Sequence, residues 1–309
     1  MKVIEGIEDF PRDQFLVVTS GTFDGVHYGH KKILRRVKEL ASANNGKSAV
    51  LTFWPHPRFV LKKDETELKL LSTLNEKIKL IANEGIDYFV IIPFTKEFSQ
   101  YSSSRFINEI IAKSLGTDVL VIGYDHRFGR NREGSFEYLK EHSSEFGFKV
   151  EEIPEQDIDH IAVSSSKIRN ALLEGQIDVG NEYLGQPYTL SGKVVEGEKI
   201  GRELGFPTAN IHVEESFKLI PADGIYAVEL LVRKNNCQGM LYIGPRPTLN
   251  GRERTIEVNI FDFEEDIYNE NVEVSFIKQI RKDKRFDNLD QLKDQLGNDR
   301  IEALKILQV

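Results

Sequence analysis

Two histidines three residues apart, His27 and His30, end the run Gly21-Thr22-Phe23-Asp24-Gly25-Val26-His27-Tyr28-Gly29-His30. A short apolar run precedes it, and Ile33, Leu34, Val37, Leu40 and Ala41 follow at helical spacing. The glycines let backbone approach a ligand closely. A helix start offers unpaired N–H groups and a partial positive charge. Two imidazoles added to that cradle suit transfer of a nucleotide from a nucleoside triphosphate, in which charge builds on a leaving pyrophosphate. An attacking phosphate needs positioning and neutralisation rather than a covalent intermediate. The spacing also permits metal ligation, although no third ligand is evident nearby.

Other segments fall where strands of the same sheet would present them. Phe53-Trp54-Pro55-His56-Pro57 follows one strand, and Gly123-Tyr124-Asp125-His126-Arg127-Phe128-Gly129 follows another. Val163-Ser164-Ser165-Ser166-Lys167-Ile168-Arg169 opens a helix. Its hydroxyls, Lys167 and Arg169 make either a second phosphate cradle or an ordinary N-cap beside a solvated basic turn.

Further along stands Gly197-Glu198-Lys199-Ile200-Gly201-Arg202-Glu203-Leu204-Gly205-Phe206-Pro207-Thr208-Ala209-Asn210. It lacks the order of a P-loop, as does Gly46-Lys47-Ser48, where Ala41 replaces the upstream glycine. The segment is either a bare loop or a lid over a nucleotide. In the second case Thr208 and Asn210 supply two short neutral oxygen ligands for Mg²⁺ held mostly by phosphates and water. Residues 239–248 read as a strand ending in a rigid turn, Gly244-Pro245-Arg246-Pro247-Thr248. In the next strand Ile256, Val258 and Ile260 alternate with Glu257 and Asn259, so Glu257 faces away from the apolar set. That face is either solvated or carries a general base acting on a primary hydroxyl that receives a phosphoryl group.

The elements needed to position these groups are legible. Strands at 16–20, 49–53, 88–92, 118–122 and 149–153 alternate with helices at 30–43, 75–82, 103–114 and 135–145. This predicts a Rossmann-like parallel sheet with helices on both faces, binding ligands at its carboxyl edge. Beyond about Gly185 the pattern turns β-rich, with strands at 188–195, 224–232, 238–243, 255–261 and 272–276, and predicts a small antiparallel barrel. A last helix, 289–307, presents Leu289, Leu292, Leu296, Ile301, Leu304 and Leu307 as a stripe expected to pack on the barrel. The expected domains are 1–185 and 186–309. Lys plus Arg is 41 against Asp plus Glu at 49, a net charge of −8, which disfavours non-specific nucleic-acid binding. The single cysteine, Cys237, excludes an intrachain disulfide and reads as a turn residue. Acidic residues come too early at the N-terminus for a signal peptide, and no apolar run reaches membrane length. The expectation is a cytoplasmic enzyme of small molecules, without nucleic-acid or membrane partners and at most a weak homo-oligomer.

In order, GTFDGVHYGH, FWPHP, GYDHRFG and SSSKIR resemble the FMN adenylyltransferase module of bacterial bifunctional riboflavin kinase/FAD synthetases, across residues 13–184. The resemblance implies a nucleotidylyltransferase fold of the His-x-Gly-His type. It implies His27 and His30 on the ATP phosphates, Gly21, Phe23, Asp24 and Gly29 in the ATP cradle, and Ser164, Ser165 and Arg169 on the pyrophosphate side. His56, Asp125, Arg127 and Phe128 would line the nucleotide and flavin sites. Ser166 stands where threonine is usual, and His126 where phenylalanine is common. GEKIGRELGFPTAN, GIYAV, GPRPT and IEVNIFDF resemble the riboflavin kinase domain, across residues 186–309. This implies a six-stranded barrel, ATP under Gly197, Gly201, Gly205 and Pro207, Mg²⁺ at Thr208 and Asn210, and Glu257 as base. Arg246, Arg281 and Phe286 would lie near the flavin. Asp283 stands where glutamate is usual. The implied chemistry is riboflavin plus ATP to FMN plus ADP, then FMN plus ATP to FAD plus pyrophosphate.

Overall fold

The computed structural model describes residues 1–8, 10–11, 14–61, 68–124, 126–154, 163–197, 200–248 and 251–308. Asp125 lies outside them. The chain divides into two compact units, Met1–Ser165 and Ser166–Val309.

The first unit is built on β1 (Lys2–Glu5), β2 (Leu16–Ser20), β3 (Lys47–Trp54), β4 (Tyr88–Pro93), β5 (Val119–Gly123) and β6 (Lys149–Ile153). All pairings are parallel, in the order β1-β4-β3-β2-β5-β6. Strand β2 is buried along its whole length because its side chains feed two cores. Leu16 and Val18 join one apolar layer and Val17 the other, as the two-residue period of a strand requires. Each such buried side chain contributes roughly 1.5–3 kcal/mol. Edge strand β1 escapes sequence reading because only Ile4 among its four residues is buried. The helices are α1 (Tyr28–Ala43), α2 (Pro57–Leu61), α3 (Leu74–Asn83), α4 (Ser103–Arg105, continuing as a π-helix over Phe106–Ser114) and α5 (Phe136–Phe146). Helix α3 starts with a reciprocal capping box between Thr73 and Glu76. After β2 the chain builds outward through β3 and β4, then returns to lay β5 on the opposite side of β2. The reversal lies between β2 and β5, and parallel sheets open their ligand crevice at such a point.

The second unit begins with α6 (Ser165–Leu173, all but its first residue) and α7 (Ile177–Leu184). A closed antiparallel barrel follows, in the order β10-β11-β8-β7-β12-β9. Its strands are β7 (Tyr188–Val195), β8 (Ala209–His212), β9 (Gly224–Val232), β10 (Asn235–Thr248), β11 (Gly251–Ile260) and β12 (Asn271–Lys282). Helix α8 (Ile200–Glu203) is a single turn, and α9 (Leu289–Leu307) ends the chain with Asn288 as N-cap.

Three expectations need correction. The segment from Gly244 to Thr248 is not a turn but the continuation of β10, pairing with β11 out to Gly251. Strand β9 stops pairing at Ile243, so Pro245 and Pro247, two residues apart, direct their missing N–H groups to one side of a ladder with an open edge. Cys237 lies in β10 opposite Leu230 rather than in a turn. Helix α9 packs only part of the expected stripe on the barrel, through Leu296, Leu304 and Leu307. Leu289 and Ile301 are 62% and 55% exposed, while Ala303, Leu307 and Asp299 are buried. Arg281 of β12 donates from Nε and Nη2 to the buried Asp299 carboxylate of α9 at 2.7–3.1 Å. Gln295 donates to the same carboxylate at 2.8 Å, and such compensation is what a buried charge requires.

Candidate active sites

In the first unit the turn between β2 and α1 is strained. Phe23 and Val26 adopt φ of 47° and 42°, and both are buried. A β-branched residue in that region is costly, and burial together with local hydrogen bonds holds it there. Asp24 supplies those bonds. Its carboxylate accepts from the backbone N–H groups of Leu71 and Ser72 at 2.9 and 3.2 Å, and its carbonyl accepts from the Ser165 hydroxyl at 3.0 Å. Gly25 N–H donates to the Ser72 hydroxyl at 3.1 Å. The turn delivers His27 as N-cap of α1 and His30 into its first turn. Their rings stack, with centroids 3.6 Å apart and planes 19° apart, and Phe23 tilts against His30 at 5.0 Å.

Burial holds the His30 imidazole well below its ordinary pKa, and the neighbouring His27 and Lys77 charges act in the same direction. His30 is therefore neutral near pH 7, with one N–H to donate. Lys77 of α3 is 1% exposed, and its ammonium lies 5.6 Å from the Trp54 ring centroid. Burial lowers its pKa to about 8, with Asp24 opposing the shift.

Above these groups lies a cavity of about 1100 Å³ at the carboxyl ends of β2, β3, β4 and β5. One side is polar: Thr19, Ser20, Gly21, Thr22 and His30. The other is aromatic: Phe53, Phe94, Phe98, Tyr101, Phe106 and Phe128, with Arg58, Arg127 and Arg130 also lining the space. The rings form a connected set, with centroids 5.8 Å apart for Phe53 and Phe98 and 5.9 Å for Phe106 and Phe128. His126 joins the two sides. Its Nε2 lies 3.3 Å from the Ser20 hydroxyl, and its ring stacks on Phe128 at 5.7 Å. Such a lining combines hydrogen-bonding groups with aromatic rings, the usual make-up of a small-molecule site.

In the second unit β8 slots between β7 and β11, placing Asn210 directly opposite Glu257. The Thr208 hydroxyl donates to the Glu257 carboxylate at 3.2 Å. Asn259, two residues on, is 5% exposed and donates to the Pro207 carbonyl at 2.7 Å. The face opposite the apolar set of β11 is thus partly covered by Pro207 and Thr208. Two glycines make that close approach possible. A methyl group at Gly197 would overlap the Asn210 side-chain amide, and one at Gly201 would overlap the Phe206 carbonyl and crowd Thr208. Among the described residues no group of three or more His, Cys, Asp or Glu is poised to hold a metal. Thr208, Asn210 and one carboxylate form a sparse, hard oxygen set, which fits Mg²⁺ carried mainly by phosphates.

Residues 10–167 match the family model described as FAD synthetase, and residues 184–307 match the one described as riboflavin kinase. The chain is 34% identical to the bifunctional riboflavin kinase/FMN adenylyltransferase of Escherichia coli K12, with 98% of this chain and 97% of that one covered. It is also 34% identical to the Bacillus subtilis protein of the same name, over 94% and 92%. The chain belongs to the bifunctional riboflavin kinase/FMN adenylyltransferase family. A solved Streptococcus pneumoniae structure described as a macrolide-efflux protein superposes with a TM-score of 0.88 at 31% identity, covering 96% of this chain and 97% of that one. Among the described residues no helix here is long and apolar enough to cross a membrane.

Within the FAD synthetase domain, the cavity gathers Gly21, Phe23, His30, His56, Arg127 and Phe128 from three separate segments. His56 is buried, and its Nδ1 accepts from Arg58 N–H at 3.2 Å. Among the described residues, six of the expected contact residues are not among those lining the cavity. Asp24 and Gly29 do not line the cavity, Asp24 because its carboxylate is spent on the 71–72 backbone. His27 supports His30 from behind rather than lining the cavity itself. Ser164 is exposed, and the Ser165 hydroxyl donates to the Asp24 carbonyl within the first unit. Arg169 belongs to the second unit, where it donates to the Ser166 hydroxyl at 3.4 Å.

In the riboflavin kinase domain, Thr208 and Asn210 meet Glu257, while Gly205 has φ of +85° and open space around it. Pro207 is exposed, and its carbonyl is held by Asn259. Arg246 sits in the β10 extension opposite Glu253. Arg281 is committed to Asp299, and its guanidinium lies 5.6 Å from the Phe286 ring centroid. The sequence pattern passes over Lys77, Phe94, Phe98 and Tyr101. For the last three the signal was an aromatic-rich stretch directly after a parallel strand.

Proposed function

We propose that the chain makes FMN from riboflavin and FAD from FMN, each with Mg-ATP, at two sites built from separate units. The observation carrying the first-unit reading is the two-ended cavity over the His30 ring. The FMN phosphate oxygen bonds to the α-phosphorus of ATP, the bond from that phosphorus to the bridging oxygen breaks, and pyrophosphate leaves. Negative charge accumulates on the leaving group, where His30 N–H and the unpaired N–H groups of the α1 start receive it. The aromatic wall holds the isoalloxazine ring.

At the barrel, Glu257 takes the proton of the terminal ribityl hydroxyl. That oxygen bonds to the γ-phosphorus, and ADP leaves. Thr208 and Asn210 would hold Mg²⁺ together with the ATP phosphates, and the ion would neutralise phosphate charge. Residues 200–208, with Gly201 leaving room beside Thr208, close over the nucleotide.

The direct test is a time course with riboflavin and Mg-ATP, resolved by chromatography. FMN appears first, FAD follows as FMN accumulates, and omitting Mg²⁺ stops both. FAD formed from supplied FMN, with none from riboflavin, would reject the kinase half.

The buried lysine gives a pH dependence. His30 stays neutral from pH 6.5 upward because its pKa is depressed. Lys77 loses its proton as pH rises through about 8, removing a cation beside the phosphate end. The kcat/KM of adenylylation for ATP therefore falls above about pH 8. In Lys77→Met that alkaline limb disappears and the KM for ATP is raised throughout. An unchanged limb in the variant would assign it to another group.

A further inference from the structure

The barrel ladder sets several polar side chains in one row. Asn210 of β8 pairs with Glu257 of β11, Glu257 with Tyr242 of β10, Tyr242 with Ile225 of β9, and Ile225 with Arg281 of β12. Residues directly opposite in antiparallel strands share a face, so this row stands on the side that carries the base. Tyr242 is half-buried, and its ring packs with the apolar cluster beneath α9. A methyl group at Gly244 would overlap the Tyr242 hydroxyl, so the ring leans along β10 over that glycine. Two residues of strand correspond to about 6–7 Å. The hydroxyl is thus offset along the face from Glu257 rather than stacked on it. The surroundings are charged: Asp283, Asp223, Glu257 and Arg281 all act on the phenol. Burial and the three carboxylates push its pKa up to about 12, so it remains a hydrogen-bond donor throughout the working range.

We propose that Tyr242 is a substrate-positioning residue of the kinase site, its phenol hydroxyl binding the polyol chain of riboflavin so that the terminal hydroxyl meets Glu257. The inference rests on the kinase reading above and deepens it. A carboxylate and a phenol spaced along one strand face give two fixed points for an extended chain of hydroxyls. The isoalloxazine ring also carries carbonyl and nitrogen acceptors, and an inhibitor that has the ring without the polyol tells the two apart.

The test uses the full chain and Tyr242→Phe, which keeps the ring and removes one oxygen. Riboflavin KM, ATP KM, and the inhibition constant of lumiflavin, which carries the ring without the polyol, are measured together. The loss of one hydrogen bond raises the riboflavin KM about three- to tenfold. The ATP KM, the lumiflavin inhibition constant and the adenylylation of supplied FMN stay at wild-type values. Unchanged lumiflavin inhibition also reports an intact barrel. An unchanged riboflavin KM overturns the proposal. So does a lumiflavin constant that rises by the same factor, since the phenol would then serve packing or the ring. Absence of FMN formation by the wild-type chain would instead reject the kinase reading itself.

Discussion

His30→Ala lowers FAD formation from supplied FMN by about 10²–10³-fold, the usual cost of losing one donor aimed at developing charge. FMN formation from riboflavin continues at the wild-type rate. Among the described residues, His30 brings a neutral ring nitrogen to the polar end of the cavity, where β2 gives way to α1. Alanine leaves the N-cap geometry of α1 intact, because His27 makes no side-chain capping bond and the helix N–H groups remain. The residual rate reports those backbone donors. The loss is read in kcat, since charge grows on the pyrophosphate only as the bond breaks. The two activities are assayed separately, with riboflavin and with FMN as substrates. An equal fall in FMN formation by a folded variant would show that one site serves both steps.

Glu257→Gln has the complementary effect. FMN formation falls by about 10²–10⁴-fold, the range of a lost general base. FMN supplied from outside is still converted to FAD. Glutamine preserves the shape of the side chain and can still accept from the Thr208 hydroxyl, which now lies 3.2 Å from the carboxylate. Only the capacity to take a proton is removed. Because the barrel and the sheet are separate compact units, adenylylation provides a control within the same chain. Retained kinase activity in this variant would remove Glu257 as the base and leave Thr208 and Asn210 as a purely nucleotide-binding pair.

The two sites differ in how far their parts were visible beforehand. His27, His30 and the glycines sit within one run, and local rules place such a run between a strand and a helix. The structure agrees, moving the helix start only to Tyr28. At the barrel, spacing alone showed only residue types, and it was the family resemblance that implied Thr208, Asn210 and Glu257 as one site. Strand β8 has four residues and no alternation to announce it, yet its pairing with β11 puts Asn210 beside Glu257. Tyr242 looked like one more aromatic in a strand until the ladder set it next to the base.

What the sequence determined by itself was the local pattern: glycine-rich turns, paired imidazoles, an out-of-phase carboxylate, and the change from helix-strand alternation to β-rich texture. Period and turn chemistry act over a few residues, so they can be read directly. The tertiary structure alone decided which of these groups face a common space. It turned Asp24 away from the cavity onto the 71–72 backbone, spent Arg281 on Asp299, and drew Lys77 into the interior beneath His30. Those outcomes depend on where buried charges find partners, and the partners lie 18 to about 50 residues away along the chain.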